Sequence, residues 1–180
     1  MSQTPDPITP DDKDWTWVLE QVCLECEADV RSFPREEIGT MVRANAAEWD
    51  DVLDAPADEL RRRPQADKWS ALEYAAHVRD VYDLYLFRLN LMLSEAGPEY
   101  PNWDQDETAI AERYNEQDPA MVRRQLAASG AALADRWDEV GDDDWQRTGY
   151  RSDGAEFTVE TFARYLIHDP IHHLWDVRSA

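Results

Sequence analysis

Four histidines occur in the 180 residues, and three of them, His168, His172 and His173, fall within six positions in the segment HDPIHH. Neutral imidazole is a good ligand for divalent first-row metals. His168 and His172 are four residues apart, so on a helix their rings lie on one face and both reach a single ion. His77 sits among apolar neighbours in YAAHV and supplies a third nitrogen if it lies on a facing helix. Three neutral nitrogen ligands leave coordination positions open for water or substrate, which a catalytic metal requires. Taken singly, His77 reads as a hydrogen-bonded core histidine, and an H-x-x-x-H pair is as common on a solvated helix face as at a metal. His173, one residue off the face of the pair, reads as an orienting or outward-facing ring. Asp169 and Asp176 read as surface carboxylates, the alternative being that they orient an imidazole. Pro170 between the two candidate ligands cannot donate to the Leu166 carbonyl, so a bend is expected there.

Two further groups of residues have chemistry to offer. Cys23 and Cys26, in CLEC, have the C-x-x-C spacing of a zinc knuckle or a redox pair, but no second C-x-x-C completes four ligands. A reducible disulfide, half of a site completed by carboxylates or histidine, and two buried thiols all remain open, with no metal role preferred. Arg147, Tyr150, Arg151 and Ser152 form a basic, hydroxyl-bearing cluster just before the last helix. Guanidinium groups suit a substrate carboxylate, so Arg147 and Arg151 are candidate substrate-binding residues; pairing with nearby Asp142 to Asp144, Asp153 or Glu156 is the alternative. Trp103 is the candidate pocket wall among eight tryptophans.

The elements that must position these residues are helical. A stretch from Phe33 to Leu53 opens on Pro34 and carries apolar residues at helical spacing. After a connection bracketed by Pro56 and Pro64, Ser70 and Glu73 form a capping box ahead of an apolar run through Leu93, which stops at Gly97-Pro98. Residues 98–117 look like an irregular crossover with one helical piece. Asp118-Pro119 starts a third helix that ends near Gly141. Residues 142–157 read as a loop with a short strand or 3₁₀ turn, and Thr158 caps a last helix reaching Val177. The expectation is an all-α four-helix bundle with long crossover connections: a flexible tail over 1–14 and one domain over 15–180.

Composition excludes several function classes. With 39 acidic against 18 basic side chains the net charge is −21, and such a surface repels phosphate backbones, so nucleic acid is not an expected partner. No apolar run approaches the roughly 18 residues of a membrane span. The N-terminus, MSQTPDPITPDDKD, is acidic and proline-rich where a secretion signal is basic and then apolar. A cytoplasmic protein with no membrane contact is expected, and two cysteines make no disulfide framework.

At WSALEYAAHVRDVY and again at HDPIHHLWDV the chain resembles the DinB-like superfamily, over roughly Phe33 to Val177. The resemblance implies a four-helix bundle with one divalent metal, commonly zinc or nickel, on His77, His168 and His172, and a homodimer. Some members of that superfamily use the metal to activate mycothiol or bacillithiol as S-transferases or maleylpyruvate isomerase; a cation lowers a thiol's pKa and generates thiolate at neutral pH. The isomerases resemble a variant with Glu in place of the first histidine of the pair, where His168 stands here, and that departure speaks against isomerase activity. The resulting expectation is a metal-dependent thiol transferase or hydrolase acting on a small electrophile. The alternatives are a non-catalytic metal-binding or stress-response bundle, signalled by a closed site or a fourth protein ligand, and a bundle without metal, signalled by histidines that do not converge.

Overall fold

The computed structural model describes residues 8–10 and 13–180, so most of the expected tail, residues 1–7, 11 and 12, lies outside the described residues. In chain order the helices are α1 (Ile38–Val52), the single turn α2 (Ala57–Leu60), α3 (Ala71–Ser94), the short α4 (Gln105–Ala111), α5 (Pro119–Asp138) and α6 (Val159–Arg178). Three short strands, β1 (Glu99–Tyr100), β2 (Thr148–Arg151) and β3 (Glu156–Thr158), complete the regular structure.

Local sequence explains where the helices begin. Ser70 Oγ accepts from the Glu73 amide at 3.2 Å and Glu73 Oε2 accepts from the Ser70 amide at 2.8 Å, which satisfies two of the orphan donors at the start of α3. Thr158 and Thr161 make the same reciprocal pair at α6. Asp118 accepts from the Ala120 amide at the head of α5, with Pro119 in the first turn. Pro34 precedes a 3₁₀ turn, Arg35–Glu37, so α1 starts a turn later than the proline signals.

The long helices form a ring. α1 packs on α5 and α6, and α3 packs on the same two, so α1 and α3 occupy opposite corners. Between them lies a core that includes Trp49, Leu72, Tyr82, Leu89, Leu126, Leu133, Phe162 and Leu166, all buried; each such side chain contributes roughly 1.5–3 kcal/mol of burial. Tyr82 reaches across the ring to donate to Asn45 Oδ1 at 2.6 Å. Gly130 of α5 makes room for this crossing, because a Cβ there would stand 3.0 Å from Ala46 Cβ and 3.2 Å from the Tyr82 ring.

The segments read from sequence as crossover and loop meet at one end of the bundle. β1 runs parallel to β2, and β2 antiparallel to β3, in the order β1-β2-β3. Tyr100 and Phe157 point from this sheet onto Phe162. The chain ahead of α1 lies along α6 through 3₁₀ turns at Trp15–Leu19 and Val30–Ser32, and Thr9 is tied to Asp67 by backbone and side-chain hydrogen bonds. Among the described residues no helix is long and apolar enough to cross a membrane.

One buried ion pair fixes the entry of α3, and His77 follows one turn later. Arg63 forks onto Glu73, with Nε 3.0 Å from Oε2 and Nη2 2.6 Å from Oε1, while Glu73 is 4% exposed. Removing one partner of such a pair strands the other charge. Arg63→Ala is therefore expected to lower unfolding free energy by about 3 kcal/mol in urea titration, with the m-value unchanged; a loss under about 0.5 kcal/mol would show the fork to be solvated.

Candidate metal centre

Successive residues on a helix are about 100° apart, so HDPIHH carries two i, i+4 pairs on adjacent stripes of α6: His168 with His172, and Asp169 with His173. His77 comes from α3, where its ring is fully buried. It faces the second stripe. The ligand atoms of His77, Asp169 and His173 lie within 4.8 Å of one another, while those of His168 and His172 group with Cys23 and Cys26. The set His77, His168 and His172 expected from the sequence is therefore divided between two clusters. The physical reason is rotation: the histidine pair is turned one residue away from α3, toward the segment that precedes α1.

In the first cluster His77 Nε2 is 3.3 Å from Asp169 Oδ1, and that oxygen is buried with no hydrogen-bond partner among the described residues. Nitrogen and oxygen ligands about 2.0–2.1 Å from a tetrahedral ion stand about 3.3–3.4 Å apart, so this spacing fits one edge of a coordination sphere. His173 Nδ1 lies 2.9 Å from Asp176 Oδ2. A proton held there leaves the Nε2 lone pair free to coordinate, and Nε2 is 3.7 Å from Asp169 Oδ2. A carboxylate behind a ligating imidazole is the usual means of fixing its tautomer. Asp169 and Asp176, read from sequence as solvated, thus serve the cluster. Burial works to raise the Asp169 pKa, but the charges of His77 and His173 and a hydrogen bond to His77 outweigh it, holding the carboxyl well below its ordinary range. Two imidazoles and one carboxylate suit a divalent first-row cation.

In the second cluster Cys23 Sγ is 3.6 Å from His172 Nδ1 and Cys26 Sγ is 3.6 Å from His168 Nε2. Burial, reinforced by the neighbouring His172, lowers His168 to about 4, and burial also lowers His172. Both shifts favour the neutral imidazole.

Aromatic rings wall the first cluster. Trp103 stacks face to face on His77 with ring centroids 5.4 Å apart, its indole N–H donating to Thr108, and Trp69 lies on another side at 5.2 Å. Asp169 opens into a cavity of about 400 Å³ that Trp103, Tyr85, Tyr165, Arg88 and Arg151 also line. Arg151 is held by Asp153 and by the Tyr165 hydroxyl. Arg147 is used elsewhere: its guanidinium donates to the carbonyls of Met92 and Glu95, closing the C-terminus of α3. Arg88 went unnoticed in the sequence because it sits mid-helix without a motif; it is 4% exposed and donates to the Pro101 carbonyl.

The geometry can be set beside known proteins. Among solved structures the chain is similar to YfiT from Bacillus subtilis, reported as a probable metal-dependent hydrolase with an unusual four-helix bundle topology, at a TM-score of 0.71 and 16% identity over 81% of this chain and 86% of that one. It is also similar to a mycothiol-dependent maleylpyruvate isomerase, at a TM-score of 0.65 and 19% identity, over 81% of this chain and 61% of that one. Likenesses at these identities establish the fold. No curated protein sequence matches. The model of the DinB superfamily matches residues 41–177, from the first turn of α1 to the last turn of α6, a range that takes in His77, Asp169 and His173 but not Cys23 and Cys26, and the chain belongs to that superfamily.

Proposed function

We propose that the protein is a metal-dependent enzyme that holds one divalent cation, zinc or nickel, on His77, Asp169 and His173 and transforms a small anionic electrophile. The observation that carries this reading is the open side of a three-donor cluster, where Asp169 fronts a cavity walled by aromatic rings and lined by two arginines. Three protein ligands with a free position are the pattern of a catalytic rather than a structural site.

A cation held there supplies Lewis acidity and lowers the pKa of a thiol or water reaching the free position. The chain's own residues do the rest. Asp176 keeps a proton on His173 Nδ1 and so presents Nε2. Trp103 and Trp69 exclude water from the buried His77 ring, which strengthens electrostatic contacts inside. Arg88 and Arg151 bring positive charge to a protein of net charge −21, and their guanidinium groups suit a carboxylate. Burial works against the Arg151 charge, but Asp153 and Tyr165 more than compensate, so it stays protonated.

A low-molecular-weight thiol such as mycothiol or bacillithiol is the co-substrate this reading favours. The neighbour that is a mycothiol-dependent isomerase supports it, as does a carboxylate at the first position of the pair. On this reading the pair is Asp169 and His173, a carboxylate followed four residues later by an imidazole.

Elemental analysis of protein purified without chelators tests the site: His77→Ala and His173→Ala should each lose one equivalent of zinc or nickel relative to wild type and lose thiol-dependent turnover of electrophiles such as maleylpyruvate. Unchanged metal content in both variants would sink the proposal. Asp176→Asn, which weakens the acceptor behind His173, should reduce cation affinity at this site by roughly 10–100-fold in competition with a chromophoric chelator. With a carboxylate-bearing substrate in hand, Arg151→Gln should raise KM by about tenfold at unchanged metal content, the scale of one lost charge-assisted hydrogen bond; an unchanged KM would remove Arg151 from the binding surface.

A further inference from the structure

The four donors of the second cluster come from two distant parts of the chain: Cys23 and Cys26 from the segment ahead of α1, His168 and His172 from α6. The segment is shaped to deliver both sulfurs to one side. The Cys23 amide donates to the Ala28 carbonyl at 3.0 Å, closing a tight loop, and Glu27 takes a left-handed φ of 60° to turn the chain, a conformation that costs a non-glycine residue energy. Hydrophobic burial does not hold this loop down, since Leu24 is 91% exposed and Val22 37% exposed, whereas Cys23 is 1% exposed.

The spacing of the donors agrees with a shared ion. With metal–sulfur bonds of about 2.3 Å and metal–nitrogen bonds of about 2.0–2.1 Å, the S···N edge of a tetrahedron is about 3.6 Å. Both S···N pairs stand at 3.6 Å. If His172 coordinates through Nδ1, its other nitrogen needs an acceptor, and Nε2 lies 3.4 Å from a Glu25 carboxylate oxygen, the support that ligating histidines commonly have. Trp15 covers the two imidazoles, with ring centroids 4.9 Å from His172 and 5.5 Å from His168. Four protein donors and an aromatic cover leave no position for substrate, the mark of a structural site.

We propose that Cys23, Cys26, His168 and His172 bind a structural zinc ion, separate from the cation on His77, Asp169 and His173, which fastens the N-terminal segment to α6. Zinc fits because it is borderline soft and takes S₂N₂ sets in tetrahedral geometry. On binding, two thiol protons leave to solvent and two zinc–sulfur bonds form, with no change of oxidation state. The site does not depend on the function proposed above, since it shares no donor with the first cluster.

The test isolates it by removing the other. A His77→Ala/His173→Ala protein, purified with zinc and without chelator, is expected to retain one equivalent of zinc per chain, and its X-ray absorption spectrum should need a shell of two sulfurs at about 2.3 Å. Adding Cys23→Ala and Cys26→Ala should remove that equivalent. Should the fourfold variant fail to fold, the wild-type thiols provide the readout: a disulfide-exchange reagent should label them at least on the order of tenfold more slowly with zinc than after chelation, with protection restored by zinc. No zinc in the double-histidine variant, a shell of nitrogen and oxygen only, or labelling at equal rates with and without zinc would overturn the proposal. Recovery of the cysteines as a disulfide from zinc-replete protein would replace it with a redox pair.

Discussion

The geometry of α6 is the constraint on which the rest depends. A turn of 100° between neighbours means that two donor pairs offset by one residue cannot serve the same ion. Asp169 and His173 look toward α3 and its His77; His168 and His172 look toward the N-terminal segment. Each stripe then needs its own partner element at a fixed height along the helix. α3 meets the first need because its capping box and the Arg63 fork set its entry one turn before His77. The tight Cys23–Ala28 loop meets the second. Shifting α6 by one residue in register would exchange the stripes and break both clusters together, which is why the caps at Thr158 and Ser70 matter to chemistry as much as to stability.

Charge is distributed to match. A chain with more than two acidic residues for each basic one pairs several of its arginines at the surface: Arg43 with Asp135 and Asp138, Arg123 with Asp50 and Asp54, Arg178 with Glu48. Exposed pairs of this kind contribute little to stability. Arg88 and Arg151 differ in lining a cavity, one over the Tyr100 ring and the other against Tyr165. Positive charge placed there would offset the repulsion that the acidic surface exerts on the anionic substrate proposed above.

The helices were legible in the sequence because their signals are local. Ser70 with Glu73, Asp118 with Pro119, and Thr158 each mark a start that the structure keeps. The sheet was not legible, because β1 and β2 are distant in sequence and β1 has two residues; neither has an alternating pattern long enough to register. At the site, the pattern showed that HDPIHH bears ligands at helical spacing but not which pair faces α3. A His-His pair looks more like a metal site than an Asp-His pair, and that preference joins His77 to His168 and His172, whereas the structure groups it with Asp169 and His173. The rotation of α6 against α3 rests on long-range core packing such as Phe162 stacked on Tyr85, which no motif encodes. Likewise the histidines beside Cys26 and Cys23 lie 142 and 149 residues away in the chain, so the spacing C-x-x-C alone could not say which of the open readings of the cysteines applies.

The interleaving has a mechanical consequence for the proposed pair of sites. His172 and His173 are adjacent, and Asp176 stands behind both, 2.9 Å from His173 Nδ1 and 3.9 Å from His172 Nε2. Trp15, anchored over the cysteine-histidine cluster, also lines the small cavity that Asp169 and His173 share with Tyr85 and Tyr165. An ion bound at the proposed cysteine-histidine site would therefore also place Trp15 at the edge of the cavity beside Asp169 and narrow the positions open to His173. Pro170 favours the same outcome: it leaves the Leu166 carbonyl without its helical donor, so this stretch of α6 has fewer backbone restraints of its own and gains more from ligands on either side. Rigid placement of a ligand set to within a fraction of an ångström is what separates a site that is merely present from one that turns over substrate. On the proposed assignment, the closed cluster on one stripe would supply that rigidity to the open cluster on the next.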